Sequence, residues 1–236
     1  MSKPLSFFTI VLILASIVLL KTNTLYSSSN LSEIRLEKLP KIKENLKDKD
    51  LELGSDIFIR IFKKESQLEL WIKKGKKFDL YKTYRICNYS GDLGPKLKEG
   101  DGQSPEGFYY VPKSMLHPTS RYHLAFNIGF PNKYDRENGR TGSFIMVHGD
   151  CVSIGCYAMT DKNIEEIYLL AESALNNNQN FFRIHIFPFR MSDKNMDLYK
   201  NHKWYNFWEN LKEGYDLFEK NHIVPDVTVE NRKYKF

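Results

Sequence analysis

The stretch around which this chain is organised is His148-Gly149-Asp150-Cys151-Val152-Ser153-Ile154-Gly155-Cys156. The apolar run 144–147, Phe-Ile-Met-Val, leads into it and predicts a buried strand. Glycines near both ends favour a turn that doubles back and brings the imidazole of His148 towards the thiol of Cys156. A thiol within hydrogen-bond reach of an imidazole is the minimal apparatus of a cysteine nucleophile. The stretch therefore predicts Cys156 as nucleophile and His148 as general base and acid.

Small residues beside Cys156 supply the other parts of such a site. Gly155 leaves room for a substrate carbonyl, and the backbone N–H groups of Gly155 and Cys156 are candidate oxyanion donors. We expect Ser153 to form a hydrogen bond within the turn, with direct assistance to catalysis as the alternative. The competing interpretation is structural, because a cysteine after a glycine is commonly a small buried hydrophobe.

Motifs spread along the chain resemble the YkuD-type L,D-transpeptidase catalytic domain, in its YafK-like branch. The resemblance covers about residues 55–236. Besides the histidine and cysteine of the stretch quoted above, it rests on the segments Gln103–Tyr109, Asn127–Asn132, Tyr134–Arg136, Gly139–Gly142, Gly155–Asp161 and His185–Met191. The broader family has a second histidine where Ile154 stands, and its first histidine lies further upstream of the cysteine than His148 does. Both differences are typical of the YafK-like branch.

The resemblance implies a fold, a chemistry and a substrate class. The fold is α+β, mainly antiparallel β, with a sandwich-like or barrel-like core. The chemistry is acyl transfer through a thioester on Cys156, with no cofactor and no metal, and a backbone carbonyl such as that of Gly149 orients the imidazole of His148. The implied partners are peptidoglycan stem peptides, and the outcomes are cross-linking, attachment of an envelope protein to the wall, or hydrolysis by an L,D-endopeptidase or amidase. A non-catalytic wall-binding module is a further alternative.

Four further side chains are candidates for substrate binding. Arg140 and Arg190 match a carboxylate in a bidentate way, or else form structural ion pairs. Phe130 and Tyr134 lie in the irregular segment 129–142, which precedes the catalytic strand and has the position of a lid over a pocket. The sequence thus favours an aromatic wall over a pocket and leaves both roles open for the two arginines.

Other histidines and cysteines compete for the catalytic roles. His185 and His123 are alternative bases, and His185 is also a candidate for shaping the substrate pocket, although each lies in a strand pattern where a structural histidine is the default. A zinc site is unfavoured because the spacing of the cysteines is not that of common zinc sites; its ligands would be His148, Cys151, Cys156 and His185. Since three cysteines are an odd number, we expect no disulfide framework, and Cys87 is expected to be buried in a strand. Replacing Cys87 or Cys151 by serine should therefore keep most activity.

Composition fits an exported enzyme better than a nucleic-acid-binding protein. The chain has 236 residues, 42% of them hydrophobic and 14% aromatic, which is ample for a core. The net charge of +6 suits an acidic partner, but no segment concentrates Lys and Arg with interleaved aromatics. A polyanionic cell envelope fits this charge, and no nucleic-acid partner is expected.

The chain divides into three predicted parts. Residues 1–21 are a signal peptide or an N-terminal membrane anchor, because Leu5–Leu20 is uncharged and mostly apolar. This segment is a candidate for contact with the inner membrane and predicts export to the periplasm or cell envelope. Residues 22–54 form a linker or amphipathic extension, with one or two short helices around Pro40. Residues 55–236 form the catalytic domain.

Periodicity predicts the main elements of the catalytic domain. Alternating patterns indicate strands over residues 57–62, 68–72, 81–87, 107–112, 122–128 and 181–187. The first three should form an antiparallel meander. Helical spacing predicts a helix over Lys162–Asn176, after the catalytic cysteine, and a C-terminal helix whose aromatic stripe runs from Trp204 to Phe218. We expect this stripe to pack in the core.

Overall fold

The computed structural model describes residues 31–236. The predicted N-terminal segment 1–21 lies outside the described residues. Within the described part of the chain, no helix is both long and apolar enough to cross a membrane.

Twelve strands and five helices are described. The strands are β1 (Ile57–Phe62), β2 (Gln67–Lys74), β3 (Lys77–Arg85), β4 (Asn88–Tyr89), β5 (Gly107–Pro112), β6 (Leu116–Ser120), β7 (His123–Asn127), β8 (Met146–His148), β9 (Tyr157–Ala158), β10 (Phe181–Phe187), β11 (Thr228–Glu230) and β12 (Lys233–Lys235). The helices are α1 (31–47), α2 (Lys133–Glu137), α3 (Asp161–Asn176), α4 (Asp193–Leu198) and α5 (Tyr205–Asn221).

Two five-stranded sheets form the body of the protein. The first has the strand order β3-β2-β1-β10-β5, and the second has the order β4-β9-β8-β7-β6. Most neighbours are antiparallel, including the predicted meander of β1, β2 and β3. The exceptions are the parallel pairs β1–β10 and β8–β9. The predicted class, α+β with mainly antiparallel β, is confirmed.

Strand β1 shows how the sequence pattern builds two apolar layers. Successive side chains of a strand point to opposite faces of the sheet. Ile57, Ile59 and Ile61 join one large cluster that contains residues of both sheets and the apolar faces of α1 and α3. Phe58 and Phe62 face the other side, where they meet the aromatic stripe of α5. This stripe is core packing, as predicted.

One helix agrees with an expected alternative, and another lies where no helix was expected. Helix α1 continues through Pro40 as one element, and its buried residues Leu31, Ile34, Ile42 and Leu46 pack in the main core. The segment 129–142, expected to be irregular, contains helix α2, which begins with a capping box between Asn132 and Asp135. The predicted helix after the cysteine corresponds to α3, and the predicted strand 181–187 corresponds to β10.

Candidate active site

Adjacent parallel strands, β8 and β9, bring the two predicted catalytic residues to neighbouring positions in the second sheet. In the register of β8 and β9, Val147 lies opposite Tyr157 and His148 opposite Ala158. Cys156 directly precedes β9, and its Sγ accepts the backbone N–H of Met146 at 3.4 Å. Because residues two apart on a strand share a face, His148 and Met146 point to the same side of β8. The loop 149–155 connects the two catalytic positions.

The imidazole of His148 is buried, and it is positioned by one hydrogen bond and one ring contact. Its Nδ1 lies 2.6 Å from the carbonyl oxygen of Gly149, the contact that the family resemblance implies. Since a carbonyl can only accept, Nδ1 carries the proton and Nε2 keeps the lone pair that a general base needs. The ring of Tyr122 packs on the imidazole, with centroids 4.8 Å apart. Burial lowers the pKa of His148, and the contact with Gly149 opposes this shift.

Cys156 is a free thiol that is partly exposed. Its Sγ lies 3.7 Å from the carbonyl oxygen of Phe144, to which it donates. Burial raises the pKa of this thiol, while the N–H of Met146 and the charge of Lys96 act in the opposite direction. A raised thiol pKa beside a lowered imidazole pKa gives a neutral resting pair. In such a pair the thiol keeps its proton until a base removes it.

The turn before Cys156 is closed by Ser153. Its Oγ donates to the carbonyl of Cys156 at 2.7 Å and accepts the N–H of Gly155 at 3.2 Å. The turn role predicted for Ser153 is confirmed. Gly155 has φ +138°, a conformation that favours glycine, which explains glycine at this position. Because its N–H is engaged by Ser153, Gly155 was the wrong choice of oxyanion donor, and the N–H of Cys156 stays the predicted donor.

A disulfide bond between Cys87 and Cys151 corrects the expectation for the cysteines. Cys87 is exposed rather than buried in a strand. The odd number of three cysteines fits one bridge and one free thiol as well as it fits no bridge. The zinc alternative also fails, because Cys151 has no thiolate to offer, and no group of metal ligands occurs within residues 31–236.

Both candidate arginines form ion pairs within the protein, which is one of the two alternatives that the sequence leaves open. The Nη1 atom of Arg140 lies 2.8 Å from Oδ1 of Asp135, and both side chains are buried. Arg190 donates through Nη2 to Oε1 of Gln67 and Oε1 of Glu69, at 2.6 and 2.7 Å.

The predicted aromatic wall is also wrong. The ring of Tyr134 is buried and stacks on Tyr234, with centroids 4.2 Å apart, in the cluster that surrounds α5. Phe130 is 5% exposed and belongs to the main core. Both side chains therefore stabilise the segment 129–142 and do not face a substrate.

The two alternative bases, His185 and His123, are engaged in other packing or hydrogen-bond contacts. His185 is buried on the α5 side of β10 between Phe58 and Phe108, whose ring centroids are each 4.6 Å away. Burial lowers its pKa well below the usual value, and neither ring nitrogen has a hydrogen-bond partner. It lies in the lining of a small cavity on that side of β10, together with Phe108 and Tyr234. His123 places Nε2 2.9 Å from Oε1 of Glu165 on α3.

Two residues that contact the catalytic pair were missed from the sequence. Tyr122 packs on His148, and the hydroxyl of Ser104 donates to the carbonyl of Cys156 at 3.1 Å. Ser104 lies in one of the segments on which the family resemblance rests. No sequence pattern, however, indicates that this segment contacts Cys156, 52 residues further along the chain.

Comparisons of the chain with known proteins identify a matching family and a similar protein. The family described as "YkuD: L,D-transpeptidase catalytic domain" matches residues 56–175. A protein of Escherichia coli strain K12 named "Putative L,D-transpeptidase YafK" is 50% identical over 182 residues, which are 77% of this chain and 74% of that protein.

Two solved structures have a weaker likeness. The helical cell shape determining protein Pgp2 from Campylobacter jejuni gives a TM-score of 0.46 at 17% identity over 80% of each chain. Bd1075 from Bdellovibrio bacteriovorus gives 0.41 at 24% identity over 70% of this chain and 63% of its own. Scores at this level support no conclusion about this chain.

Proposed function

This chain belongs to the YkuD family of L,D-transpeptidase catalytic domains, and we propose that it is an exported cysteine acyltransferase that acts on peptidoglycan stem peptides. The observation that carries the proposal is the placement, on adjacent strands, of a free thiol at Cys156 and a His148 imidazole whose Nδ1 is bonded to a backbone carbonyl. Such a pairing is what a nucleophilic cysteine and its base require. A wall-binding module with an inactive site would not need either group.

The proposed mechanism follows from the positions of these two residues. Nε2 of His148 takes the Sγ proton of Cys156 while the sulfur attacks the carbonyl carbon of a peptide amide. The N–H of Cys156 donates to the oxyanion that forms. The carbon–nitrogen bond then breaks, the leaving amine takes the proton from the imidazolium, and an acyl thioester remains on Cys156. A second amine attacks this thioester, its surplus proton passes through His148 to the thiolate, and a new amide results.

Hydrolysis is the second candidate, with water in place of the second amine. The side chain of Ile154, which stands where the broader family has a histidine, is 90% exposed. It therefore does not shield the neighbouring sulfur from water. The bond cut in this case would be a cross-link or the attachment of an envelope protein to the wall. We keep acyl transfer to an amine as the first choice.

The disulfide supports export. Disulfide bonds persist in oxidising compartments such as the periplasm and are rare in the cytosol. The Cys87–Cys151 bond therefore agrees with the apolar run Leu5–Leu20, which predicts a signal or anchor. A reporter fused after residue 50 should be active only outside the cytoplasm, and activity confined to the cytoplasm would refute export.

Mass spectrometry tests the enzymatic proposal directly. Purified protein is incubated with a wall muropeptide, and an acyl adduct should appear on Cys156 and disappear on treatment with hydroxylamine. The Cys156→Ser variant should show neither adduct nor turnover. In cells, cross-links or wall-bound protein that rise with the dose of enzyme support transfer. If wall-bound protein instead falls as the dose of enzyme rises, and no new cross-links form, the enzyme hydrolyses these bonds and the proposal of transfer is refuted.

A further inference from the structure

The segment 104–106 is bonded directly to the nucleophile and to the residue after it. The Ser104 side chain is buried, and its Oγ donates to the carbonyl of Cys156 at 3.1 Å. The hydroxyl of the buried Tyr157 donates to the carbonyl of Pro105 at 2.6 Å. Ser104 Oγ also accepts the N–H of Ser90 at 3.2 Å. Two consecutive residues of the site are thus fixed to one segment that precedes them by about fifty positions.

A buried ion pair between Lys63 and Glu106 fixes the segment 104–106 in the core. The ammonium of Lys63 is fully buried and donates to the carbonyl of Ser104 at 3.0 Å and to Oε1 of Glu106 at 3.1 Å. It also donates to the carbonyls of Asp92 and Gly94, at 2.7 and 2.9 Å. A buried charge is tolerated only when its donors are satisfied, so displacing any of these carbonyls is costly.

The carboxylate of Glu106 completes this arrangement. Its Oε1 accepts the N–H of Gly94 at 2.6 Å, and its Oε2 accepts the indole N–H of Trp208 on α5 at 2.8 Å. The segment is therefore tied to the α5 layer of the core. Movement at Ser104 would require the pair of Lys63 and Glu106 to move as well.

We propose that Ser104 is a positioning residue for Cys156, acting through the carbonyl of that cysteine. This carbonyl accepts two hydroxyl hydrogen bonds, one from Ser104 and one from Ser153, which together use both of its lone pairs. The two bonds fix the peptide plane that follows the nucleophile and with it the direction of the Cα–Cβ bond. The hydroxyl of Ser104 bonds this carbonyl and the N–H of Ser90, so its effect on the sulfur is indirect. Its effect on turnover rests on the proposed function, but its effect on the thiol does not.

A positioning role differs measurably from a purely structural one. Misplacing a reacting group by about 1 Å costs rate without changing how the substrate binds. A structural role would instead lower the unfolding temperature and leave the folded enzyme with normal kcat. The thiol itself offers a direct probe, because Cys87 and Cys151 are bonded to each other and Cys156 is the single free thiol among the three cysteines.

The experiment compares three variants of the full chain. Ser104→Ala removes the hydroxyl, and Ser104→Thr keeps it. Ser173→Ala is the matched control, because it removes a 2.7 Å hydroxyl-to-carbonyl bond within α3, away from the site. Each folded variant is measured for kcat and KM on a muropeptide, for the rate of alkylation by iodoacetamide as a function of pH, and for its unfolding temperature.

Ser104→Ala should lower kcat about tenfold, the loss expected for one hydrogen bond, with KM changed less than about twofold. Its alkylation profile should move to higher pH. Without the hydrogen bond from Ser104, Cys156 is held less firmly, and its sulfur accepts the N–H of Met146, which stabilises the thiolate, for a smaller fraction of the time. Ser104→Thr should restore kcat and the profile, and Ser173→Ala should leave both as in the wild type. Unchanged kcat and alkylation in folded Ser104→Ala, or no recovery in folded Ser104→Thr, would overturn the proposal.

The two proposals fail in different ways. If the wild type shows no turnover with muropeptides while the alkylation profile still shifts in Ser104→Ala, the proposed function fails and the positioning role stands. If turnover is present and the profile does not respond to Ser104→Ala, the proposed function stands and the positioning role fails.

Discussion

Cys87 and Cys151 are joined by a disulfide bond, which ties the loop between His148 and Cys156, the proposed catalytic residues, to the chain directly before β4. The bond closes 64 residues of chain, and Cys151 itself has φ +46°, in the left-handed region. The loop therefore depends on a covalent link as well as on the hydrogen bonds of Ser153. This corrects the expectation that either cysteine can be replaced with little effect.

We predict that the double variant Cys87→Ser/Cys151→Ser is less stable by about 2–4 kcal/mol, the usual contribution of a disulfide. Its activity should fall as well, because the loop loses its anchor. Urea denaturation and turnover should be measured with and without a thiol reductant. The reductant should bring the wild type towards the variant and leave the variant unchanged. A double variant as stable and active as the wild type would show that the bond is dispensable.

We predict that His148→Ala lowers the rate of acyl-enzyme formation at least about 10²-fold, the lower range for general acid–base catalysis. The reason is that partial burial raises the pKa of the Cys156 thiol, which therefore needs a base. The matched control is His123→Ala, since His123 bonds Glu165 on α3. Comparable losses in the two variants would mean that the base is assigned wrongly.

The pH dependence of the acylation rate should reflect a resting enzyme in which the Cys156 thiol and the His148 imidazole are both neutral. Because the pKa of His148 is lowered from 6.5, its imidazole should be ready as a base below that pH, and the acid limb should have its midpoint below 6.5. In His148→Ala the rate should instead follow ionisation of the thiol and climb about tenfold per pH unit through neutral pH. A wild-type acid limb above 6.5 would contradict the lowered imidazole pKa.

His185 should make stability depend on pH. Its folded pKa lies well below the value of 6.5 that applies to the unfolded chain. As pH falls below about 6.5, His185 binds a proton in the unfolded chain but stays neutral in the folded protein. The free energy of unfolding therefore decreases by up to about 1.4 kcal/mol per pH unit. His185→Leu should flatten this slope in urea denaturation at several pH values. The control His117→Leu, at a half-buried position, should keep it.

Arg140→Met should destabilise the protein without changing KM. The substitution leaves the carboxylate of Asp135 buried without its guanidinium, which costs about 3–5 kcal/mol in comparable pairs. The double variant Arg140→Met/Asp135→Asn should recover part of the loss, because no charge is then left unpaired. Urea denaturation and muropeptide kinetics measure the two effects. A large rise in KM with unchanged stability would return Arg140 to the role of substrate clamp.

The sequence by itself determined the elements that follow from local patterns. The strand 181–187, the helix after the cysteine and the aromatic stripe of α5 were predicted because periodicity reports which face of an element is buried. The identity of Cys156 and His148 as the candidate pair also followed from nearby residues, since β8, the loop and β9 are consecutive in the chain.

Only the tertiary structure decided what the isolated polar and aromatic side chains do. Arg190 meets Glu69, Cys87 meets Cys151, and Ser104 meets Cys156, all across long separations in the chain. A residue pattern describes one element at a time, whereas the partner of a charge, a thiol or a hydroxyl depends on which distant segments the packing of the two sheets brings together. For this reason Cys156 could be proposed as nucleophile from its own stretch, whereas its hydrogen bond with Ser104 could not be predicted.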